Sequence, residues 1–217
     1  MIAFDAATNG GVAEPGTSIT FSHTCTGTNR VLFVATGAEA GATGITYAGV
    51  AMTSLKKSAA SSDLGYCEIW GLLNPATGAN NVVVSASSQY IRACSASYTG
   101  VLQSGLPDAV ASATDSSAST SITQSVTTIA DNCWVVGSGQ GVNVGAGAGF
   151  TQRGGAGAGP YVNIGDSNAP KTPAGSYSMT TTSTSAYKLN IVLVSFVPAA
   201  DVIVAGGIYM TTNTRFF

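Results

Sequence analysis

The chain has 217 residues, of which 45% are hydrophobic but only 8% charged, and its formal net charge is −2. Charged residues fall far below the roughly 25% usual in soluble domains; Ser, Thr, Gly and Ala take their place. The eight basic residues are scattered, only Lys56 and Lys57 adjoining, which excludes the Lys/Arg cluster that nucleic-acid phosphates require.

A polar surface with so little charge suits a protein that lives packed against neighbours, because free monomers rely on net charge for solubility. Mean hydropathy is positive, at +0.29, yet no membrane span is expected. The most apolar stretch, 189–210, is interrupted by Asn190, Ser195, Pro198 and Asp201, whereas a span needs about 20 mostly apolar residues. The opening MIAFDAATNGG lacks a basic n-region and an apolar h-region, so no Sec signal peptide is expected.

In chain order the residues read as strands and turns. Residues 1–17 read as an N-terminal arm with at most a short edge strand at 2–4. A strand follows at 18–23, a turn at Thr26-Gly27-Thr28-Asn29, and a strand at 30–36 that is apolar on both faces and so covered on both sides. Strands at 45–47 and 50–55 flank a two-residue turn at Ala48-Gly49, since only that spacing sets Val50 and Met52 opposite Ile45 and Tyr47. Further strands are expected at 65–73, stopped by Asn74-Pro75, and at 81–86 and 90–98.

Residues 106–119 read as a long connection, followed by paired strands at 120–128 and 133–139. The Gly/Ala-rich stretch 141–159 reads as loops around a short strand at 150–152, because glycine at that density weakens strands. Strands at 161–166, 175–182 and 187–197 close the series. No window has helical apolar spacing. The expectation is an all-β chain with almost no helix: an antiparallel two-sheet β-sandwich, jelly-roll or lectin-like, of about 10–12 strands. The sandwich is expected over 18–198, and 199–217 is expected as a C-terminal arm or edge strand for subunit contacts.

The chemistry-bearing residues are sparse. Cys25, Cys67, Cys94 and Cys133 show no CxxC or Cys/His spacing, which argues against zinc. Three of them lie in apolar strand runs, so buried free thiols are favoured over disulfides. His23, the one histidine, reads as a surface or sheet-edge residue, and no G-x-S-x-G elbow accompanies it. P-loop, dinucleotide and calcium motifs are missing, so no metal or cofactor is expected.

Glu68 stands between Tyr66 and Trp70 on alternate strand positions, as a sugar site would place a carboxylate. Glycoside hydrolysis needs a second carboxylate, and none is suitably spaced. Tyr66, Trp70 and Tyr90 are nonetheless candidates for a glycan-stacking platform. At the C-terminus, Ile208, Tyr209, Met210, Arg215, Phe216 and Phe217 set large side chains where chain ends are normally polar. They are the candidate assembly contacts.

The runs TFSHTCTGTNRVLFVATG, GITYAGVAMTSL, EIWGLLNPATGANNVVVSAS and ASYTGVLQ resemble a widespread group of phage and bacterial β-sandwich proteins. The shared pattern is an Asn-Arg entry to an apolar strand, a Thr-Tyr-Gly-Gly-Val hairpin, an aromatic strand ending in an Asn-Pro turn, a valine-rich strand and a Thr-Gly-Val exit. This chain departs from it at Ala48, Gly71 and Ala76. The resemblance covers residues 21–103 and implies a virion or surface component, such as a decoration, fibre or tail-associated protein, with no catalytic residues to carry over. The combined expectation is a non-enzymatic structural protein of a phage-like virion, assembled in the host cytoplasm as a homo-oligomer or with other virion proteins. The alternative is a carbohydrate-binding module or adhesin that meets a surface glycan.

Overall fold

The computed structural model describes residues 1–87, 90–156 and 161–200. Among these residues there is no helix, and the chain folds into antiparallel sheets. The first half contributes β1 (Ala3–Ala13), β2 (Ser18–Cys25), β3 (Val31–Ala38), β4 (Ala42–Tyr47), β5 (Val50–Ala51), β6 (Thr53–Lys57), β7 (Tyr66–Leu73), β8 (Gly78–Ala86) and β9 (Ile91–Thr99). They build two sheets, ordered β1-β9-β3-β7-β6 and β2-β8-β4-β5. The second half contributes β10 (Ala109–Thr114), β11 (Ser119–Thr127), β12 (Trp134–Gln140), β13 (Gly145–Ala146), β14 (Thr151–Ala156), β15 (Val162–Asp166), β16 (Ser176–Tyr187) and β17 (Asn190–Phe196). These form sheets ordered β10-β17-β12-β15-β14 and β11-β16-β13.

The two halves share one topology. Matching β1 with β10, β2 with β11 and onward, with only the two-residue β5 left over, makes both sheet orders coincide. Register is preserved as well. Phe33 in β3 lies between Ala96 and Gly71, and Val136 in β12 lies between Val194 and Asp166 at the matching places. A bulge interrupts β6–β7 between Ser54 and Lys56, and another interrupts β14–β15 between Gln152 and Gly154. Ser18-Ile19-Thr20 in β2 recurs as Ser121-Ile122-Thr123 in β11, and the turns into β3 and β12 each carry an asparagine at positive φ, Asn29 at 51° and Asn132 at 60°. The antiparallel sandwich expected from the sequence is present, and it is built twice.

The halves stack through their five-stranded sheets, giving four layers and three cores. The central core joins Phe33, Ile69, Tyr98 and Val101 of the first half to Trp134, Val136, Val194 and Phe196 of the second. Its aromatic rings interlock, with centroids 5.1 Å apart for Phe33–Phe196 and 5.2 Å for Tyr98–Phe196. The outer cores lie inside each half, around Leu32, Ile45, Tyr47 and Val84 in one and Ile122, Phe150, Met179 and Leu193 in the other. Strands of the two central sheets therefore need apolar residues on both faces. β3, β12 and β17 have them, and every residue in these strands is buried.

Across the central interface β1 lies against β14 and β6 against β10, while β9 meets β15 and β7 meets β17. Since β1 matches β10, β6 matches β14, and β7 and β9 match β15 and β17, these contacts are related by a two-fold rotation along the strands, between the sheets. The chain resembles a symmetric dimer whose subunits have been joined in sequence, with a self-complementary interface of the isologous kind.

Among the described residues seventeen strands are present where about 10–12 are expected from pattern alone. Residues 1–17, expected as an arm, contain the eleven-residue β1, which pairs along β9 from Ala3–Thr99 to Ala13–Ile91. Its sequence AFDAATNGGVA shows no apolar alternation because two bulges shift its register and small residues suffice where β14 and β2 crowd it. A Cβ on Gly10 would come within 2.5 Å of the Phe21 ring. β10 likewise lies inside the stretch expected as a connection. In the Gly/Ala-rich region, Phe150 packs over Gly137 and Gly165, where a Cβ on either would fall within 2.9 Å of its ring. The matching places in the first half are Val34 and Trp70, so the ring and the glycines exchange volume. Ala48 and Gly49 form the expected two-residue turn, with Tyr47 opposite Val50 and φ of 52° and 80°.

Candidate functional site

The carboxylate of Glu68 is buried in β7. Its Oε1 pairs with Lys57 Nζ at 2.9 Å, and its Oε2 accepts the Trp70 Nε1–H at 2.8 Å. Lys57 Nζ also sits 4.0 Å from the centre of the Tyr66 ring. Both carboxylate oxygens are occupied, one tyrosine face is covered by a cation, and Trp70 packs onto the first outer core. Tyr66 and Trp70 are brought together with Glu68 as expected from their alternation, but as a closed cluster that braces β6 against β7.

His23 is buried, contrary to the surface or sheet-edge position expected. The reason is its place in β2, which packs face-on against β1 and β9. There Nε2 lies 3.0 Å from Ser97 Oγ, and Nδ1 lies 3.0 Å from Thr8 Oγ1 and 2.8 Å from Ser95 Oγ. Ser97 Oγ donates to Asp5 Oδ2 at 2.7 Å. Having given its proton to a carboxylate, Ser97 can only accept from Nε2–H, which leaves Nδ1 as the acceptor. Burial pulls the imidazole pKa down to about 4, against the opposing field of Asp5, so the ring is neutral at pH 7. Serine, histidine and aspartate thus meet, but in an order unlike a nucleophilic triad: the hydroxyl separates the imidazole from the carboxylate.

The Asp5 clasp has a counterpart. Asp5 accepts from Thr26 N at 2.9 Å and from Ser97, while Asp108 accepts from Ile129 N at 3.2 Å and from Ser195 Oγ at 2.6 Å. In each half the carboxylate ties the first strand to the last strand and to the turn after the second. Burial works to raise the Asp5 pKa, but the Thr26 and Ser97 hydrogen bonds outweigh it and hold the carboxyl below its usual range. Val126 occupies the place matching His23, so the imidazole is an addition of the first half alone.

The central interface has its own polar network. Asp166 receives Arg153 through Nε at 2.8 Å and Nη2 at 3.0 Å, and Tyr98 OH donates to it at 2.8 Å. Arg153 also stacks on Phe4, 4.4 Å from the ring centre. Burial, reinforced by the Asp166 charge, pushes the Tyr98 phenol well above its usual pKa. All four cysteines are free and buried, as expected. Burial raises the Cys67 thiol to about 12 and the Cys133 thiol to about 11, far from the thiolate a nucleophile needs.

One open feature gathers exposed aromatic rings. At the end of the molecule where β3 and β12 finish, a cleft of about 250 Å³ is lined by Tyr90, Arg92, Glu39 and Asp63 of the first half and by Tyr161 and Tyr187 of the second. Tyr90 and Tyr187 occupy matching connections, just before β9 and at the end of β16. The guanidinium of Arg92 stacks 4.3 Å from the Tyr161 ring centre and pairs with Glu14. Asp63 accepts from Lys188 N at 3.0 Å, a hydrogen bond that holds its carboxyl below the usual range. Beneath it, Gln140 Nε2 donates to Leu64 O at 2.7 Å, Asn190 Nδ2 to Gly65 O at 3.0 Å, and Ser61 Oγ to Lys188 O at 2.6 Å. These bonds cross between the halves and fix the cleft's floor.

Of the expected platform, Tyr90 lies in this cleft, whereas Tyr66 and Trp70 are not among its lining residues. Tyr161, Tyr187 and Arg92 were not singled out by sequence; the matching of Tyr66 with Tyr161, and of the connection that holds Tyr90 with the one that holds Tyr187, is the signal that reaches the two tyrosines. Ile208, Tyr209, Met210, Arg215, Phe216 and Phe217 lie outside the described residues. Among the described residues no group of three or more His, Cys, Asp or Glu could hold a metal ion. Comparison of the chain with protein-family models, with curated proteins and with solved structures finds no match.

Proposed function

We propose that the protein is a non-enzymatic structural component of a phage-like virion, a capsid-decoration or tail- or fibre-associated sandwich that works through subunit contacts. The observation that carries this reading is where its reactive side chains go. Glu68, Asp166, His23 and Cys67 are all buried and hydrogen-bonded within the fold, so the chemistry present is spent on rigidity. A near-uncharged surface and the resemblance of residues 21–103 to phage and bacterial sandwich proteins point the same way.

Assembly would use the aromatic C-terminal residues 208–217, whose burial on a neighbour is worth roughly 25 cal/mol per Å² of apolar area. The fold sets where a cut can be made. Val101 bridges Pro198, and Ala199 N donates to Gly100 O at 2.8 Å, so a chain ending at Ala200 keeps every described strand. That truncated chain is expected to melt like the full chain yet fail to oligomerise or to enter particles, as read by light scattering and by particle co-purification. Normal assembly of the truncated chain would refute the tail's role.

A further inference from the structure

We infer that the cleft between the two halves is a binding site for a neutral saccharide. This goes beyond the assembly reading and uses different residues. The cleft lies at the junction of two structural units, where ligand sites concentrate, and it takes its walls from both. Tyr90 is 44% exposed and Tyr187 36%, so part of a ring from each half is open to solvent, where the C–H face of a sugar can stack. Tyrosine suits this task because its ring supplies apolar area while its hydroxyl bonds to the ligand's own hydroxyls.

The polar groups select the ligand class. Glu39 and Asp63 offer acceptors and the Tyr161 and Tyr187 hydroxyls offer donors, beside the Arg92 Nε–H, which is buried with no hydrogen-bond partner among the described residues. A ligand rich in hydroxyls can serve both kinds of group at once. The charge of Arg92 is already answered by Glu14 and that of Asp63 is opposed by Lys188, so Glu39 is left to tilt the cleft negative, which disfavours phosphate, sulfate or carboxylate groups. The floor is built in advance. Gln140, Asn190 and Ser61 fix the 61–65 loop across the junction, so binding would order little chain and waste little affinity.

The position sharpens the specificity expected. Tyr90 and Tyr187 come from matching connections of the two halves, but the surrounding pairs differ: Glu39 matches Val142, and Arg92 matches Asn190. The aromatic element is therefore nearly symmetric and the polar element one-sided. Such a site would grip a sugar ring from two sides and orient it by its hydroxyls from one.

The test uses the full chain on an array of neutral hexose and N-acetylhexosamine oligosaccharides, alongside sialylated and sulfated ones, with titration of any hit. Saturable binding of at least one neutral oligosaccharide with sub-millimolar Kd is expected. Tyr90→Ala and Tyr187→Ala should each weaken it by about tenfold or more, with melting temperatures confirming that both variants fold. Trp70→Phe, in the Glu68 cluster, should leave it unchanged. Binding confined to anionic glycans, no neutral binding at millimolar concentration, or tyrosine variants that bind normally would each overturn the site. Particle incorporation plays no part in the readout, so failure here and failure of the assembly reading are separable.

Discussion

Asp166 shows what a single buried charge does in this fold. It is fully buried and bonded to Arg153 and Tyr98, and the two-fold repeat supplies its apolar control. The positions matching Asp166, Arg153 and Tyr98 are Gly71, Leu55 and Phe196, and there Leu55 closes over Gly71. Removing one partner of a buried pair strands the other, at about 3–5 kcal/mol, whereas an apolar replacement of the whole set is often neutral. Arg153→Leu alone is therefore expected to destabilise by about 3–5 kcal/mol in urea unfolding. The triple change Arg153→Leu, Asp166→Gly, Tyr98→Phe should recover most of that loss. His23 gives a pH dependence of defined sign. Its folded pKa is depressed to about 4 from 6.5, so the unfolded chain binds the extra proton; the contribution is complete above pH 6.5 and is lost as pH falls towards 4. The loss is about 3 kcal/mol, measurable by comparing unfolding at about pH 7.5 and about pH 4.5, and His23→Val should abolish that part of the dependence. Ala48, at φ 52° in the β4–β5 turn, carries strain that glycine would relieve. Ala48→Gly is expected to raise stability by about 1 kcal/mol.

At the scale of elements, alternation and turn chemistry made β2, β3, β7, β8 and β9 legible, because each pairs an apolar face with an identifiable stop such as Asn74-Pro75. β1 and β10 escaped, and for one reason. They hold matching edge positions in the two central sheets, crowded by neighbouring layers, and are built from Ala, Ser, Thr and Gly that no periodicity reveals. The Asp5 and Asp108 clasps each tie such an edge strand to the strand beside it. Asp108→Ala frees Ser195 and the Ile129 N–H together and should cost about 1–3 kcal/mol, with loss of amide protection concentrated along β10. Of the site, Tyr90 was found by its exposed aromatic character, while Tyr66 and Trp70 were correctly joined to Glu68 but in a bracing role. Spacing along one strand cannot show that Lys57 and the neighbouring sheet will close over a carboxylate.

At the scale of the whole molecule, the two halves need each other. The central core is shared between them, and its faces carry Phe33, Ile69 and Tyr98 on one side and Trp134, Val194 and Phe196 on the other. Either half alone would expose that apolar sheet face to water. Residues 1–104 produced alone are expected to elute as a dimer or larger species and never as a stable monomer, since the same face can meet a second copy by the same two-fold rotation. Composition and periodicity by themselves determined that this chain is all-β, antiparallel, with almost no helix and stocked with buried thiols, because those properties follow from local propensity and from which residues must leave water. Tertiary structure alone decided that the sandwich is built twice, that His23 and Glu68 are sealed inside, and that Tyr90 and Tyr187 line one cleft. Those facts depend on contacts between different strands, among them His23 with Ser97, 74 positions on, and Gln140 with Leu64, 76 positions away, which side-chain periods of 2 and 3.6 residues do not encode.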